Sequence, residues 1–357
     1  MGLQPRDLAK AVATALLATG LALPASAETL NLTIASSHPT TIPWVGAMAD
    51  LYVGEANERL EAAGSTTRID WTEAYGGSLY GFKDTLEAVE QGLTDVGWVG
   101  AFWEGSKMPL HGVTYNAPFA TDDMLVMLDV VNSMHDEIPA LNEAWEDNNQ
   151  VFLGASGVDT YHLMTNFPVT SLADLEGRKI LAPGASAAWL KGTGAVALDG
   201  GLTTYYTDIQ TGKADGVLTI LSGAYPFKLH EVAPYITLVG IGAQATGGVS
   251  VNLDTWEDMD PEVQTILAEL GREYSVRHAE EVNARVEAFK EKMVAEGATI
   301  STLPADERQR WIDGLPDLGG EWAKTQDDKG LPGSEVLKAY LEGIRARGGA
   351  PARNWGS

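Results

Sequence analysis

The stretch from Asp260 to Gly297 constrains this chain most. It opens "DMDPEVQ", with Asp260 placed to cap and Pro261 suited to the first helical turn. Apolar residues recur at Val263, Ile266, Leu267, Leu270 and Tyr274, and again at Val282, Val286, Phe289 and Met293. That is helical spacing sustained to Gly297, a glycine stop. A helix of about 36 residues would run roughly 54 Å at 1.5 Å per residue. One domain of ordinary size has no use for such a rod, so the spacing predicts a helix bridging two lobes.

The remaining chain supplies the lobes. Its 357 residues suit two domains rather than one. "TLNLTIASS" (29–37) reads as a strand ending at His38-Pro39, and a helical pattern follows to Gly64. "TTRIDWTEA" is a second strand, "GFKDTLEAVEQGLT" a helix and "DVGWVGAF" a short buried strand. "QVFLGAS" (150–156) begins a second series, continued by "RKILAP", a helix containing Trp189, "TTYYTDIQTG", "ADGVLTI" and "APYITLVGI". "GGVSVNLDTW" then returns to a strand. Such alternation predicts an α/β architecture built on parallel sheets.

The first 27 residues stand apart. Arg6 and Lys10 precede the apolar run "AVATALLATGLAL", and "PASA" places small residues at Ala25 and Ala27. This is the pattern of a secretory signal peptide cleaved after Ala27, and its apolar run is too short to span a bilayer. The expectation is an exported periplasmic protein without direct membrane insertion. Cysteine is absent, which excludes disulfides, cysteine-based zinc sites and a thiol nucleophile. Net charge is −25; Arg6, Lys10 and Asp7 give the leader +1, leaving the remainder near −26. A surface that acidic repels nucleic acid and anionic lipid.

Motifs for chemistry are missing or out of context. "GIGAQA" (240–245) matches a dinucleotide pattern, but extended chain follows it where a helix should open. His278 has no second histidine one turn away, and Ser78 and Ser156 each lack a glycine of a nucleophile elbow. The expectation is no enzyme, no cofactor and no metal.

Three segments resemble the solute-binding proteins of TRAP transporters, tripartite ATP-independent periplasmic uptake systems. Asp174, Leu175, Gly177, Lys179, Ile180, Pro183 and Gly184 match the first family pattern. Tyr206, Thr207, Gln210, Gly212, Asp215 and Gly216 match the second, and Lys228, Leu229, Glu231, Val232 and Tyr235 the third. The resemblance implies a two-lobe periplasmic binding protein fold with the ligand cleft between lobes and a long helix bridging both. It implies lobe I over 28–152, lobe II over 153–241, a return to lobe I with the start of the bridging helix over 242–275, and a remainder, 276–357, mainly on lobe II. It further implies a small-molecule solute and a membrane permease as partners.

One departure stands out. The family pattern carries an arginine after Lys-Ile that pairs with a ligand carboxylate; here Leu181 stands there, and residues 151–177 contain no arginine. A desolvated carboxylate without a cationic partner costs several kcal/mol. Strand-end positions, where open α/β sheets bind ligands, hold aromatic and acidic residues instead. These are Trp44, Glu73, Tyr75, Trp98, Trp103, Tyr115, Asp159, Tyr161, His162, Trp189, Thr219 and Tyr225. Aromatic faces beside a carboxylate suit a small cation. The expected solute is therefore cationic or neutral, an amine or an amino alcohol such as ethanolamine. The alternatives are an organic acid held by His162, a lysine or backbone amides; a sensor protein feeding a receptor; and, least, an exported hydrolase.

Overall fold

Two sheets organise residues 28–357, the part of the chain that the computed structural model describes. The expected signal peptide lies outside the described residues. The strands are β1 (Glu28–Ala35), β2 (Thr67–Ala74), β3 (Val96–Val99), β4 (Gln150–Val158), β5 (Tyr161–Thr165), β6 (Lys179–Leu181), β7 (Val196–Leu198), β8 (Gly216–Ile220), β9 (Tyr235–Leu238), β10 (Gln244–Asn252) and β11 (Thr299–Thr302). The first sheet has the order β2-β1-β3-β10-β4, the second β11-β9-β5-β8-β6-β7.

The sheets are mixed, where parallel ones were expected. β1 runs parallel to β2 and β3, but β10 lies antiparallel between β3 and β4, and β5 antiparallel to β8 and β9. Parallel neighbours need a crossover of a dozen or more residues. Here β4 passes into β5 through Asp159 and Thr160 alone, and β9 returns to β10 through residues 239–243. Apolar runs carry no record of strand direction. β4 stays in the first sheet to Val158, past the expected boundary at 152/153.

The helical stretch after His38 is continuous from Pro43 to Ala63, with a π-helical turn over Ala49–Val53. It buries Val45, Met48, Leu51, Tyr52 and Leu60 against Leu32 and Ile34 of β1. The long helix, Pro261–Ala295, spans 35 residues, about 52 Å. Its first half seals this core with Val263, Leu267, Leu270 and Tyr274. Its far end enters the second-lobe core, where Met293 joins Met164, Leu181, Tyr205, Val217 and Ile236. Glycine lets it seat: a Cβ on Gly271 would collide with the Leu153 backbone, and one on Gly154 with Gly271. Asp260 does not cap it; its carboxylate accepts from the Thr67 hydroxyl instead (3.3 Å).

Two further segments depart from expectation. Trp189 lies on a 3₁₀ segment, Gly184–Leu190, not an α-helix. Of the C-terminal helices, Ala305–Gly314 faces the second lobe, with Arg308 donating to the Val239 and Gly240 carbonyls (2.7 Å each). Leu318–Asp327 and Gly333–Ala346 instead pack on each other and on the helices Val113–Asn116 and Met124–Glu137, the latter covering β4 and β10. Among the described residues no helix is long and apolar enough to cross a membrane, and no group of three acidic or histidine side chains could hold a metal ion.

Candidate functional site

The carboxyl ends of the first-sheet strands carry an aromatic wall. β1 ends at Ala35, and His38 follows two residues after Ser36, whose hydroxyl accepts the His38 N–H (3.2 Å). The His38 ring meets Trp44 at 5.5 Å, Phe82 at 5.3 Å and Trp98 at 5.7 Å between centroids, each edge-on. Phe82 packs edge-on against Trp103 at 4.9 Å, and Trp98 lies 6.4 Å from both. Trp98 is anchored by its indole N–H to the Ser156 hydroxyl of β4 (2.7 Å). Trp44, Trp98 and Trp103 thus come together; His38 and Phe82, absent from the sequence-based list, complete the wall. In sequence His38 reads as the end of a strand and Phe82 as the start of a helix, so neither is singled out by its pattern.

The wall continues into the second lobe. Phe102 stacks on Tyr115 at 3.6 Å, and Tyr115 stacks on Trp189 at 5.5 Å. The hydroxyls of Tyr115 and Tyr161 hydrogen bond at 3.0 Å, joining the lobes. Trp189 donates to the Tyr115 carbonyl (2.8 Å) and its own carbonyl accepts from Trp311 (2.6 Å). Tyr115, Tyr161 and Trp189 are buried, and burial pushes both tyrosine hydroxyls up, so they stay neutral. These three pack together where the two lobes meet.

The polar candidates are engaged elsewhere. Asp159 is buried; its carboxylate accepts from the Leu221 N–H (2.9 Å), the Ser222 N–H (3.3 Å) and the Ser222 hydroxyl. It holds the start of the short helix after β8, and burial pushes its pKa up despite those bonds. His162 accepts the Val239 and Gly240 N–H groups at Nδ1 (3.2 Å each), which places its proton on Nε2. Burial, with Lys290 nearby, pushes it down to about 3, so it is no cation at neutral pH. Thr219 is its buried partner across the β5–β8 pair.

Leu181 is fully buried in the second-lobe core. Glu73 is exposed on the edge strand β2, and Tyr75 is half-buried against the first-lobe core. Tyr225 is drawn away from the wall, stacking on Phe289 (4.7 Å) and donating to Glu296 (2.9 Å) at the far end of the long helix. The motif residues are structural as well: Asp174 accepts from the Thr170 and Ser171 N–H groups, Asp215 from Lys179 N–H, and Tyr206 donates to Glu231.

Residues 55–325 match the family model DctP, described as bacterial extracellular solute-binding protein, family 7. The C4-dicarboxylate-binding periplasmic protein DctP of Vibrio cholerae is 25% identical over 195 residues, 53% of this chain. That match spans 57% of the relative, little more than half its length. A TRAP periplasmic solute binding protein from Desulfovibrio salexigens, in an open complex, superposes with a TM-score of 0.76 at 21% identity, covering 90% of this chain and 98% of that one. A TRAP solute binding protein from Rhodoferax ferrireducens, in complex with copurified benzoate, gives 0.77 at 17% identity, covering 89% and 98%.

Proposed function

The chain belongs to family 7 of the bacterial extracellular solute-binding proteins, those of TRAP transporters, and from that membership we propose that its cleft captures a small organic acid. The lobes close on the acid by a hinge motion and present it to a membrane permease, with no catalysis.

The observation that carries the acid over the amine is the kind of hydrogen-bonding group the wall leaves unclaimed. The Trp44 indole N–H, which can only donate, is buried at the wall with no acceptor among the described residues, so the polar group left unmet there calls for an acceptor and not for a cation. The carboxylate that an ammonium would need is Asp159, and its oxygens are engaged by Leu221 and Ser222. Glu73 is exposed to solvent, so an amine in the cleft would lose hydration without a buried counter-charge. The expected ethanolamine-like solute is therefore given up. The relatives point the same way: one is named for C4-dicarboxylates and another holds benzoate.

With Leu181 in the core and His162 neutral, neutral N–H donors meet the acid's charge, as backbone and indole donors do elsewhere. The test is calorimetric titration of protein refolded to strip any bound solute, against mono- and dicarboxylates and against ethanolamine. Saturable 1:1 binding of an acid, with none for ethanolamine, is expected. The reverse pattern would sink the reading.

A further inference from the structure

Resting on that reading, we infer that the solute carries a planar ring, clamped in the corner between Phe82 and Trp103, with its carboxylate taking a hydrogen bond from His38 Nε2. Phe82 is 39% exposed and Trp103 48%, the most open aromatics of the wall. Large apolar side chains grouped on a surface mark a binding site. Their rings meet edge-on at 4.9 Å, which leaves a corner whose two walls are π-faces, backed by Trp98 at 6.4 Å from each. A planar ring entering it can stack on one wall and meet the other edge-on, the two arrangements aromatic pairs prefer.

The corner is held in place despite its exposure. A Cβ on Gly100 would stand 2.9 Å from Trp103 Cε3 and 3.3 Å from Trp98 Cη2, so the glycine gives both indoles room to lie against the end of β3. Trp103 also packs on Phe102 at 5.2 Å, which ties it to the interlobe stack.

One polar atom serves the corner. His38 lies 5.3 Å from Phe82 between ring centroids, and its Nδ1 is 3.0 Å from the Ser37 hydroxyl. Nε2 makes no hydrogen bond to a described residue, and it is not among the sealed-in polar atoms. With the Ser37 hydroxyl donating to Nδ1, the ring proton sits on Nε2 and can be given to a solute oxygen. An aliphatic diacid would leave both π-faces unused, so the corner selects for shape where an arginine would select for charge.

Benzoate and succinate are the probes, titrated by intrinsic tryptophan fluorescence into the protein and into Phe82→Leu, Trp103→Leu and His38→Phe. Leucine keeps apolar volume while removing the π-face, and an unchanged melting temperature shows that the fold is intact. Benzoate is expected to bind more tightly than succinate and to weaken about two- to twelve-fold with each ring removed, while succinate is unmoved. His38→Phe, which keeps an aromatic ring but has no N–H to donate, is expected to weaken both acids. If succinate binds as tightly as benzoate, or benzoate is indifferent to both leucine variants, the ring inference is wrong and the organic-acid reading stands. If neither acid binds, that reading falls and takes the ring inference with it.

Discussion

Position 181 shows what one side chain decides. Leu181 is fully buried against Met164, Tyr205 and Val217, so an arginine there would put an unpaired guanidinium into a core. Leu181→Arg is expected to cost at least about 3 kcal/mol in urea unfolding, with no gain in acid affinity. Histidines set a second expectation at this scale. Burial pushes His135 and His278 down to about 4 and His162 to about 3, while an unfolded chain protonates histidine near 6.5. The folded values are lowered, so the unfolded state takes up protons first. The stability these groups confer is complete above about pH 6.5 and is lost as pH falls toward 4, and for His162 toward 3. At about 1.4 kcal/mol per pKa unit, the sum is several kcal/mol, and a falling melting temperature between pH 7 and 4.5 would register it.

Elements differed in how legible they were. The long helix is plain in sequence because its periodicity repeats over about ten turns, and its bounds in the structure, Pro261–Ala295, fall inside the expected ones. Its cap was misjudged because Asp260 turns to Thr67, a residue far away in sequence. Strand direction was unreadable for β5 and β10, since short connections between sheets leave no mark on an apolar run. Trp44, Trp98 and Trp103, singled out by their strand-end positions, do cluster in the structure. Asp159 misled because its partners Leu221 and Ser222 lie more than sixty residues on, and His38 was passed over as a strand terminator. The seat of the long helix carries its own test. Gly271→Ala would force a methyl into the Leu153 backbone, and overpacking of this kind costs about 1–3 kcal/mol, measurable as a lower melting temperature.

The molecule as a whole is acidic, with a net charge of −25 over the full sequence. An anionic solute approaches against that field, which salt screens beyond about 8 Å at physiological ionic strength. Acid binding should therefore tighten a few-fold as sodium chloride rises from 10 to 300 mM, the opposite of a site built on a salt bridge. Titrations at the two concentrations decide it.

The long helix is seated in the first core from Val263 to Tyr274 and in the second at Met293. For the lobes to close as proposed, a rod gripped at both ends must bend or slip in one grip. Release of a solute would then be coupled to the rod straightening again. Its dwell time is set in part by residues that never meet it, and two proteins with the same cleft lining could release the same cargo on different clocks.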